Sequence, residues 1–582
     1  MKKDFLPITK NDLKERKWRE LDIILLSADA YVDHPSYGVA IIGRVLENNG
    51  FRVGIIAQPD WKKKDDFLRL GKPKLFFGIT AGNLDSMVAN YTANKRLRKE
   101  DEYSPAGKIG LRPDRASIVY TNRIKEFFPG VPVILGGIEA SLRRLAHYDY
   151  WSNSVRRSIL LDSKADLLVY GMGERQVVAI AERLKGGESL NDINISGTVV
   201  VKKSLEQLNN YTQIPSFEGV REDKKAFSLA FKAIYEEADP HRGKIIVQAH
   251  DKRFVIQYPP AKPLSSKELD HIYDLPYLRS WHSIYDKKGK ITGLETVRFS
   301  VVGHRGCCAE CSFCSIGFHQ GRIIQSRSEA SIKNEIYQIV QKKDFKGTIT
   351  DVGGPTANLY RADCKLWQKK GACQHKNCLF PQKCKNLKLG YEETIQLWRA
   401  LKKDKKIKHL FIGSGLRYEL LLDKASENYL KELCLYHISG QLKVAPEHTD
   451  EIVLKAMRKP PFSQYEKFVD KFRAMNQKLG KKQYLVNYFI CSHPGSGLKE
   501  ALKLSLKLKK RKIHPEQVQD FIPLPMTMAS CMYYTGKDPL TGQKLAVANT
   551  FRERKMQRAF AQYKQKKSKK WIFEALKELN RS

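Results

Sequence analysis

Residues 303–322 of this chain read GHRGCCAECSFCSIGFHQGR and directly follow VRFSVV (297–302), an apolar segment with the composition of a strand. Cys307, Cys311 and Cys314 have the spacing C-x3-C-x2-C. Thiolates are the ligands that iron–sulfur clusters require, and a tight loop can bring three of them to one face of a [4Fe-4S] cube. Three ligands instead of four leave one iron open, and an open position is typical of a catalytic metal site.

Two alternatives use the same residues differently. Zinc could take the three thiolates with His304 or His319 as its fourth ligand, or the thiols could lie together without a metal. Cys308 adds one thiol outside the spacing. Eight of the eleven cysteines fall between residues 307 and 384, which is unlike a disulfide scaffold and indicates a metal site in a reducing compartment.

Strands and helices alternate in the pattern from residue 291 to residue 535. Apolar strand candidates separated by helical patterns lie at 297–303, 348–352, 409–412, 441–445, 483–490 and 518–522. Strand–helix units repeated in this way predict a partial (β/α)6 barrel. Its chemistry is expected at the carboxyl ends of the strands.

The first 200 residues show an earlier alternation of the same kind. Its strand candidates include LDIILLSA (21–28), FRVGIIAQ (51–58) and VPVILGG (131–137), with an amphipathic helix at 38–50. Such alternation predicts a Rossmann-like α/β domain over residues 1–200, in which helices cover both faces of a parallel sheet.

Two segments remain outside these domains. Residues 201–290 are predicted to form a connecting segment with a helix and a hairpin around Asp251 and Lys252. Residues 536–582 are predicted to form a basic C-terminal tail, rich in Lys and Arg and helical in pattern.

The cysteine motif at the start of such a barrel, with Phe313 just before its last cysteine, resembles the motif of the radical S-adenosylmethionine (SAM) enzymes. The resemblance implies that Cys307, Cys311 and Cys314 hold a [4Fe-4S] cluster whose open iron is chelated by the amino and carboxylate groups of SAM. It also implies that an electron from the cluster cleaves SAM to methionine and a 5'-deoxyadenosyl radical, with flavodoxin or ferredoxin as a suitable reductant. Phe313 is then a cofactor-binding candidate.

The segment ITDVGGPTAN (349–358) resembles the SAM-binding turn of that superfamily. Gly353 and Gly354 stand where the superfamily has a Gly-Gly-Glu turn beside the amino group of SAM, and Pro355 replaces the acid. Glycine allows the backbone to approach a ligand closely. The resemblance therefore makes both glycines cofactor-binding candidates.

Later segments resemble the methylthiotransferase branch of the superfamily. LKVAPEHTDE (442–451) resembles its fourth-strand segment, which makes Glu447 and His448 candidates for contacts with SAM. YLVNYFICSHPGSG (484–497) and DFIPLPMTMAS (520–530) resemble the fifth and sixth strands. With SADAYVDHPSYGVAIIGRVLE and VYGMGERQVV in the first 200 residues, the chain resembles the YgiQ family of radical SAM proteins over essentially its whole length. That family is defined by sequence, so the resemblance implies a chemistry but no substrate.

A second group of cysteines lies in an insertion over residues 360–390, after the second barrel strand. Cys364, Cys373, Cys378 and Cys384 have the spacing C-x8-C-x4-C-x5-C. They could hold zinc or an auxiliary iron–sulfur cluster, although the spacing matches no standard zinc ribbon. The alternative is a Lys-rich surface loop with free or redox-active thiols.

The N-terminal sheet resembles the cobalamin-binding domains that precede some radical SAM barrels. The motif D-x-H-x-x-G, which supplies the lower axial histidine there, is not present, because in VDHPSYG (32–38) His34 directly follows Asp33. We therefore predict that the chain does not bind cobalamin in the usual histidine mode, and that this domain instead holds another ligand or covers the barrel mouth. Asp29, Asp33 and His34 are candidates for a different pocket, since open α/β sheets bind ligands beyond the ends of their strands.

Positive charge is the main feature of the composition. The 103 basic and 63 acidic residues give a net charge of +40, which attracts polyanions such as RNA, unless it only reflects a Lys-rich composition. Arg143, Arg144 and His147 within residues 136–151 are candidates for an anionic or nucleobase-containing substrate, or for a packing face. The sequence has no apolar run of about 18 residues and no signal-peptide core at its start, so we predict a cytoplasmic protein that does not enter a membrane.

The resemblance implies a radical SAM enzyme, and the methylthiotransferase-like segments together with the positive charge favour RNA or protein as its substrate. Two alternatives belong to other classes: an iron–sulfur protein that senses redox state or oxygen without turnover, and a metal-stabilised RNA-binding protein. The open three-cysteine motif favours the enzyme over both.

Overall fold

A computed structural model describes residues 4–206, 208–515 and 518–580 of the chain. The described residues divide into two compact units. The N-terminal unit comprises the residues up to Arg298 together with Phe318–Gln320, and the C-terminal unit comprises Phe299–Gly317 together with the residues from Gly321 onward. Each unit has its own apolar core.

The strands of the N-terminal unit are β1 (Ile23–Ser27), β2 (Val32–Asp33), β3 (Val53–Ala57), β4 (Phe76–Thr80), β5 (Val133–Leu135), β6 (His147–Asp149), β7 (Ser154–Arg156), β8 (Leu167–Val169), β9 (Thr198–Lys202), β10 (Tyr211–Ile214), β11 (Ile245–His250), β12 (Arg253–Gln257) and β13 (Ser280–Trp281). Its helices are α1 (Lys10–Glu15), α2 (Gly38–Asn48), α3 (Lys64–Leu68), α4 (Ser86–Asn90), α5 (Ala116–Phe127), α6 (Gly137–Leu142), α7 (Ile159–Ser163), α8 (Glu174–Lys185), α9 (Phe217–Glu222), α10 (Lys224–Glu236), α11 (Ser266–Tyr273) and α12 (Thr292–Val297).

Within the described part of the N-terminal unit, one sheet of nine strands has the order β10-β11-β12-β9-β8-β5-β4-β1-β3. The strands β3, β1, β4, β5 and β8 run parallel to their neighbours in this group. Every residue of β1 and β3 is buried, as expected when helices cover both faces of a parallel sheet. The Rossmann-like parallel sheet predicted from the sequence is confirmed.

The sheet continues beyond residue 200. The strand β9 pairs antiparallel with β8, and β12 and β11 extend the sheet with the hairpin predicted around Asp251 and Lys252. The connecting segment predicted over residues 201–290 contributes three strands, β10, β11 and β12, to the N-terminal sheet. Hydrophobic periodicity locates such strands but does not indicate which sheet they join.

The strands of the C-terminal unit are β14 (Ser300–Val302), β15 (His304–Arg305), β16 (Gln325–Ser326), β17 (Thr348–Ile349), β18 (Asp351–Gly353), β19 (His409–Leu410), β20 (Gln441–Glu447), β21 (Tyr484–Cys491) and β22 (Val518–Asp520). The helices from residue 316 onward are α13 (Ile316–His319), α14 (Glu329–Val340), α15 (Lys365–Lys370), α16 (Tyr391–Leu401), α17 (Glu427–Glu432), α18 (Glu451–Met457), α19 (Phe462–Lys478), α20 (Leu498–Lys510), α21 (Met528–Thr535), α22 (Phe551–Ala561) and α23 (Ser568–Leu579).

The parallel strands of this unit follow one another in space as they do in the chain. The strand β14 pairs parallel with β18, β17 with β19, and β20 with β21, which pairs in turn with β22. A parallel bridge between Leu416 and Val444 joins the segment after β19 to β20. This arrangement is the predicted partial (β/α)6 barrel, with α14, α16, α19 and α20 between successive strands.

The predicted basic tail contains two helices, and the first of them belongs to the barrel packing. Met556 and Phe560 of α22 are buried, and Gln557 accepts a hydrogen bond from the backbone N–H of Ser492 over 3.0 Å. Gln557 also contacts Ser496 through both its side-chain oxygen and nitrogen. The helix α22 therefore fixes the turn that follows the fifth barrel strand.

None of the described helices has the length and apolar character that a membrane span requires.

Candidate functional site

The candidate site residues predicted in the barrel lie where its parallel strands end. The cysteine loop follows β14 and β15, Gly354 follows β18, and Glu447 ends β20. Because parallel strands end at the same edge of a barrel, these groups lie on one face of the C-terminal unit. This edge is the candidate functional site.

The cysteine loop is held by backbone hydrogen bonds on both sides of Ser312. The N–H of Ser312 donates to the carbonyl of Met457 over 3.0 Å, and its own carbonyl accepts from the N–H of Ala529 over 2.9 Å. Inside the loop the N–H of Cys314 donates to the carbonyl of Cys311 over 3.0 Å. The loop is therefore attached to the end of α18 and to the start of α21.

The three predicted ligand thiols lie close together in apolar surroundings. Burial raises the pKa of the Cys307 thiol to about 11 and that of Cys314 to about 12, and repulsion from the neighbouring thiols of the motif adds to both shifts. Cys307 and Cys311 pack against an apolar cluster that includes Cys308 and Leu359. Buried thiolates need a positive partner, which iron ions provide when thiols bind them and lose their protons.

A cation that the sequence analysis did not single out lies beside these thiols. The guanidinium Nη1 of Arg417 donates a hydrogen bond to Sγ of Cys311 over 3.2 Å. Arg417 is buried and also forms an ion pair with Glu419, whose Oε1 accepts from its Nε over 2.6 Å. No motif marks Arg417 in the sequence, because its position depends on the segment after the third barrel strand.

The turn at Gly353 and Gly354 has no room for side chains. A Cβ on Gly353 would lie 2.3 Å from Oγ of Ser414, and a Cβ on Gly354 would lie 2.5 Å from Cε1 of the His304 ring. The carbonyl of Gly353 accepts a hydrogen bond from the N–H of Gly303 over 2.6 Å. The predicted glycine turn therefore lies at the end of the second strand, directly against the start of the cysteine loop.

His304 is fully buried beside this turn. Among the described residues, neither of its ring nitrogens has a hydrogen-bond partner, and burial lowers its pKa to about 4. The ring is thus a neutral imidazole. His319, the other candidate fourth ligand for zinc, falls in the N-terminal unit, where its Nδ1 lies 3.1 Å from Oγ of Ser141.

Glu447 ends the fourth strand, whose register shifts between Val444 and Glu447, and His448 directly follows it. Glu447 is buried and has a φ of 67°, a left-handed conformation that non-glycine residues rarely adopt. Burial raises the pKa of Glu447, while Lys459 and Arg417 act in the opposite direction. Nδ1 of His448 accepts a hydrogen bond from the N–H of Asp450 over 3.1 Å, and burial lowers its pKa to about 4.

Phe313 packs edge-on against His493, a histidine that the sequence analysis did not single out. Its ring centroid lies 5.9 Å from that of His493, which in turn lies 5.0 Å from Phe521. Nε2 of His493 lies 3.1 Å from Oγ of Ser312 in the cysteine loop. His493 therefore supports the loop from the end of the fifth strand.

Three of the four cysteines of the second group pack into the same apolar cluster as the loop. They are Cys364, Cys378 and Cys384, and Cys308 belongs to this cluster as well. The pKa of the Cys378 thiol is lowered because Cys308 donates a hydrogen bond to it. Cys373 is half-buried.

Among the described residues, no group of three or more His, Cys, Asp and Glu side chains converges as it would around a single metal ion. A [4Fe-4S] cube binds each thiolate through a different iron, so its ligands do not converge on one point. The three clustered thiols and their apolar surroundings fit such a cube.

In the N-terminal unit, the candidate pocket residues are engaged by buried arginines. Asp29 forms an ion pair with Arg112 at 2.8 Å, and Asp33 forms one with Arg44 at 2.5 Å. Nε2 of His34 lies 2.9 Å from Nη1 of a further arginine, and its Nδ1 accepts from the N–H of Ser36 over 3.0 Å. These three side chains therefore form ion pairs and hydrogen bonds inside the N-terminal unit.

The other N-terminal candidates are also buried. Arg143 pairs with Asp85, and Arg144 donates to Oε1 of Gln257 over 2.6 Å while its guanidinium lies 4.5 Å from the ring of Tyr170. Burial lowers the pKa of both arginines to about 10 and that of the neighbouring His147 to about 3. Their role toward a substrate stays a prediction.

The chain is similar to solved radical SAM structures at low identity. It aligns with the radical SAM methyltransferase TsrM of Kitasatospora setae, bound to tryptophan and a SAM analogue, at 14% identity and a TM-score of 0.49, over 87% of this chain and 75% of that one. It aligns with the cobalamin-dependent SAM radical enzyme OxsB, with aqua-cobalamin bound, at 11% identity and a TM-score of 0.48, over 88% and 55% of the two chains.

Sequence comparison finds much closer relatives. A family described as radical SAM N-terminal matches residues 5–300, and a domain of unknown function, DUF3362, matches residues 516–582. A UPF0313 protein of Clostridium botulinum is 52% identical over 561 residues, which cover 96% of this chain and 87% of that protein. A UPF0313 protein of Methanocella arvoryzae is 50% identical over 575 residues, covering 99% and 95%. These matches confirm the radical SAM assignment made from the motifs, and the chain belongs to the UPF0313 family.

Proposed function

We propose that this chain is a radical SAM enzyme that binds a [4Fe-4S] cluster through Cys307, Cys311 and Cys314 and cleaves SAM reductively to modify RNA or protein. One observation carries the proposal. The three thiols lie together on one loop at the carboxyl edge of a parallel barrel, against a glycine turn that admits no side chain. When bound, the cluster and SAM supply an electron and a 5'-deoxyadenosyl radical that abstracts hydrogen from a substrate.

The residues of the barrel edge have separate tasks in this proposal. The loop is held through Ser312 and supported by His493, so the three thiols are positioned before the cluster binds. The turn at Gly354 lets the methionyl group of SAM approach the backbone. In the same proposal the buried carboxylate of Glu447 accepts hydrogen bonds from the amino group of SAM, and the apolar surroundings of the loop exclude water.

RNA or protein remains the proposed substrate class, and the net charge of +40 supports RNA. Binding of a cellular RNA fraction to the reconstituted protein, measured at several salt concentrations, separates the two. An affinity that falls steeply with salt indicates several phosphate contacts, whereas a weak and flat dependence favours a protein substrate. A reductant such as flavodoxin or ferredoxin belongs to the same proposal, as does a cytoplasmic location.

The second cysteine group is proposed to hold a second metal. One apolar cluster contains Cys364, Cys378 and Cys384, which supports their binding the same metal ion or metal cluster. Metal analysis after reconstitution gives about 8 irons per chain for an auxiliary cube, or about 4 irons with zinc for a zinc site. About 4 irons without zinc would contradict the second metal.

We also propose that the chain does not bind cobalamin through His34. The contacts of both ring nitrogens support this, since a bond from Nε2 to cobalt would displace the arginine that now lies 2.9 Å away. Titration with hydroxocobalamin, followed by absorbance, tests it with the variant His34→Ala. Binding that is lost in this variant would contradict the proposal.

The main experiment is anaerobic reconstitution with iron and sulfide, followed by reduction and electron paramagnetic resonance (EPR) spectroscopy with and without SAM. We expect a [4Fe-4S] signal that changes on addition of SAM, because SAM binds at the open iron. Ala at all three of Cys307, Cys311 and Cys314 is expected to abolish the signal. The control is Cys434→Ala, which removes a buried thiol in the barrel core. An EPR signal of the cluster that does not change when SAM is added would favour a redox or oxygen sensor without turnover.

A further inference from the structure

Arg417 is a buried cation in direct contact with one of the cluster thiols. Its Nη1 donates to Sγ of Cys311 over 3.2 Å, and only 6% of the residue is exposed. It lies directly after Leu416, whose parallel bridge to Val444 attaches the segment to the fourth barrel strand. The contact thus depends on the barrel framework and not on a surface loop.

Arg417 is held in place by a reciprocal pair of hydrogen bonds. Its N–H donates to Oδ1 of Asn358 over 3.0 Å, and Nδ2 of Asn358 donates to the Arg417 carbonyl over 2.9 Å. Asn358 is itself buried and belongs to the segment that begins at the glycine turn. The guanidinium is therefore directed at the cysteine loop by two barrel segments at once.

The charge of Arg417 is retained despite its burial. A guanidinium stays protonated in proteins, and the carboxylate of Glu419 pairs with it, accepting a hydrogen bond from its Nε over 2.6 Å. The loop therefore faces a permanent positive charge.

We infer that Arg417 raises the reduction potential of the cluster; this inference rests on the proposed function of the three cysteines. A reduced cluster carries one more negative charge than an oxidised one. An N–H donor and a positive charge at a ligand sulfur stabilise the more negative state, because hydrogen bonds to sulfur and local charge set cluster potentials. Arg417 acts through the cluster as a positioning and charge-compensating residue, and the inference assigns it no contact with the substrate.

The test is a redox titration of the reconstituted protein, followed by the EPR signal of the reduced cluster. Arg417→Gln is expected to lower the ratio of reduced to oxidised cluster at a fixed potential about tenfold, which corresponds to a shift of about 59 mV to more negative values for a one-electron couple. Arg417→Lys keeps the charge and is expected to restore part of the shift. The matched control is Arg327→Gln, which removes another buried, ion-paired arginine of the same unit and should leave the potential unchanged.

Glu419→Gln provides an independent reading, since it removes the carboxylate that partly neutralises Arg417. It is expected to shift the potential in the opposite direction, to more positive values. This variant keeps the inference testable if Arg417→Gln fails to take up iron. The double variant with Gln at both positions separates the loss of the cation from the effect of leaving Glu419 buried without its partner.

The outcomes distinguish this inference from the proposed function. Equal potentials in the wild type, Arg417→Gln and Glu419→Gln, each with a full iron content, would overturn the role of Arg417 while leaving the cluster in place. A wild-type protein that binds no reducible cluster would overturn both. A potential that moves equally in Arg327→Gln would show a general effect of destabilising the barrel and would also overturn the inference.

Discussion

The ring of His304 lies directly over Gly354, so that a β-carbon on residue 354 would come within 2.5 Å of Cε1 of the ring. His304 begins the segment that carries the cysteine loop, and Gly354 ends the second barrel strand. The close contact joins the loop proposed to bind the cluster to the turn proposed to seat SAM. Only glycine fits at residue 354 unless the buried histidine moves.

The first prediction concerns this contact. Gly354→Ala is expected to displace the His304 ring and to destabilise the protein by about 1–3 kcal/mol through overpacking. It is also expected to lower the rate of SAM cleavage by the protein that remains folded. The thermal unfolding midpoint and the rate of SAM cleavage are measured on the same preparation. Gly415→Ala is the control, because a Cβ at residue 415 meets nothing within 4 Å. Equal cleavage rates in the two variants would contradict the proposed role of the turn.

The second prediction concerns the buried carboxylate at the end of the fourth strand. Glu447→Gln keeps the size of the side chain but removes its charge, so the hydrogen bonds that we propose it accepts from the amino group of SAM become weaker. A bond to a charged group contributes about 1.5–3 kcal/mol, so we expect the affinity for SAM to fall about tenfold or more. Calorimetric titration of SAM into the reconstituted protein measures this change.

The matched control for Glu447→Gln is Glu451→Gln. Glu451 is exposed at the first turn of α18, four residues further along the same segment. The control is expected to bind SAM like the wild type. If both variants bind SAM with wild-type affinity, Glu447 has no part in the SAM site.

The barrel could be predicted from the sequence because its strands are short apolar runs with helical patterns between them. The fourth strand, predicted at 441–445, covers Gln441–Glu447, and the sixth, predicted at 518–522, covers Val518–Asp520. The cysteine motif and the glycine turn were visible because their residues are adjacent in the chain. Local patterns of this kind survive in the structure, since they depend on few distant contacts.

Arg417 and His493 could not be found in this way. Each reaches the cysteine loop from the end of a strand more than a hundred residues away. The same limit applies to Asp29 and Asp33, which looked like ligand-binding carboxylates but are buried in ion pairs with Arg112 and Arg44. A buried charge needs a partner, and the sequence does not indicate which distant residue provides it.

The third prediction concerns the pH dependence of stability. His437 is buried against Trp398, and burial lowers its pKa to about 4. Its pKa is about 6.5 in the unfolded chain, so below pH 6.5 the unfolded state binds more protons and the folded state loses stability as the pH falls. His437 alone is expected to lower the free energy of unfolding by about 2 kcal/mol between pH 7 and pH 5.

Urea unfolding of the wild type and of His437→Phe at pH 7 and pH 5 checks this prediction. The variant removes the titrating ring and is expected to lose less stability than the wild type over the same interval. The comparison uses the difference between the two pH values, so a constant cost of the substitution cancels. An identical loss in both proteins would show that His437 is not held neutral in the folded state.

The most direct test of the account is the formation of 5'-deoxyadenosine from SAM. The reconstituted chain is reduced under anaerobic conditions, supplied with SAM, and compared with the variant that has Ala at Cys307, Cys311 and Cys314. We predict 5'-deoxyadenosine from the intact chain and none above background from the variant. An intact chain that holds its cluster but forms no 5'-deoxyadenosine, even when cell extract supplies substrates, would contradict the account.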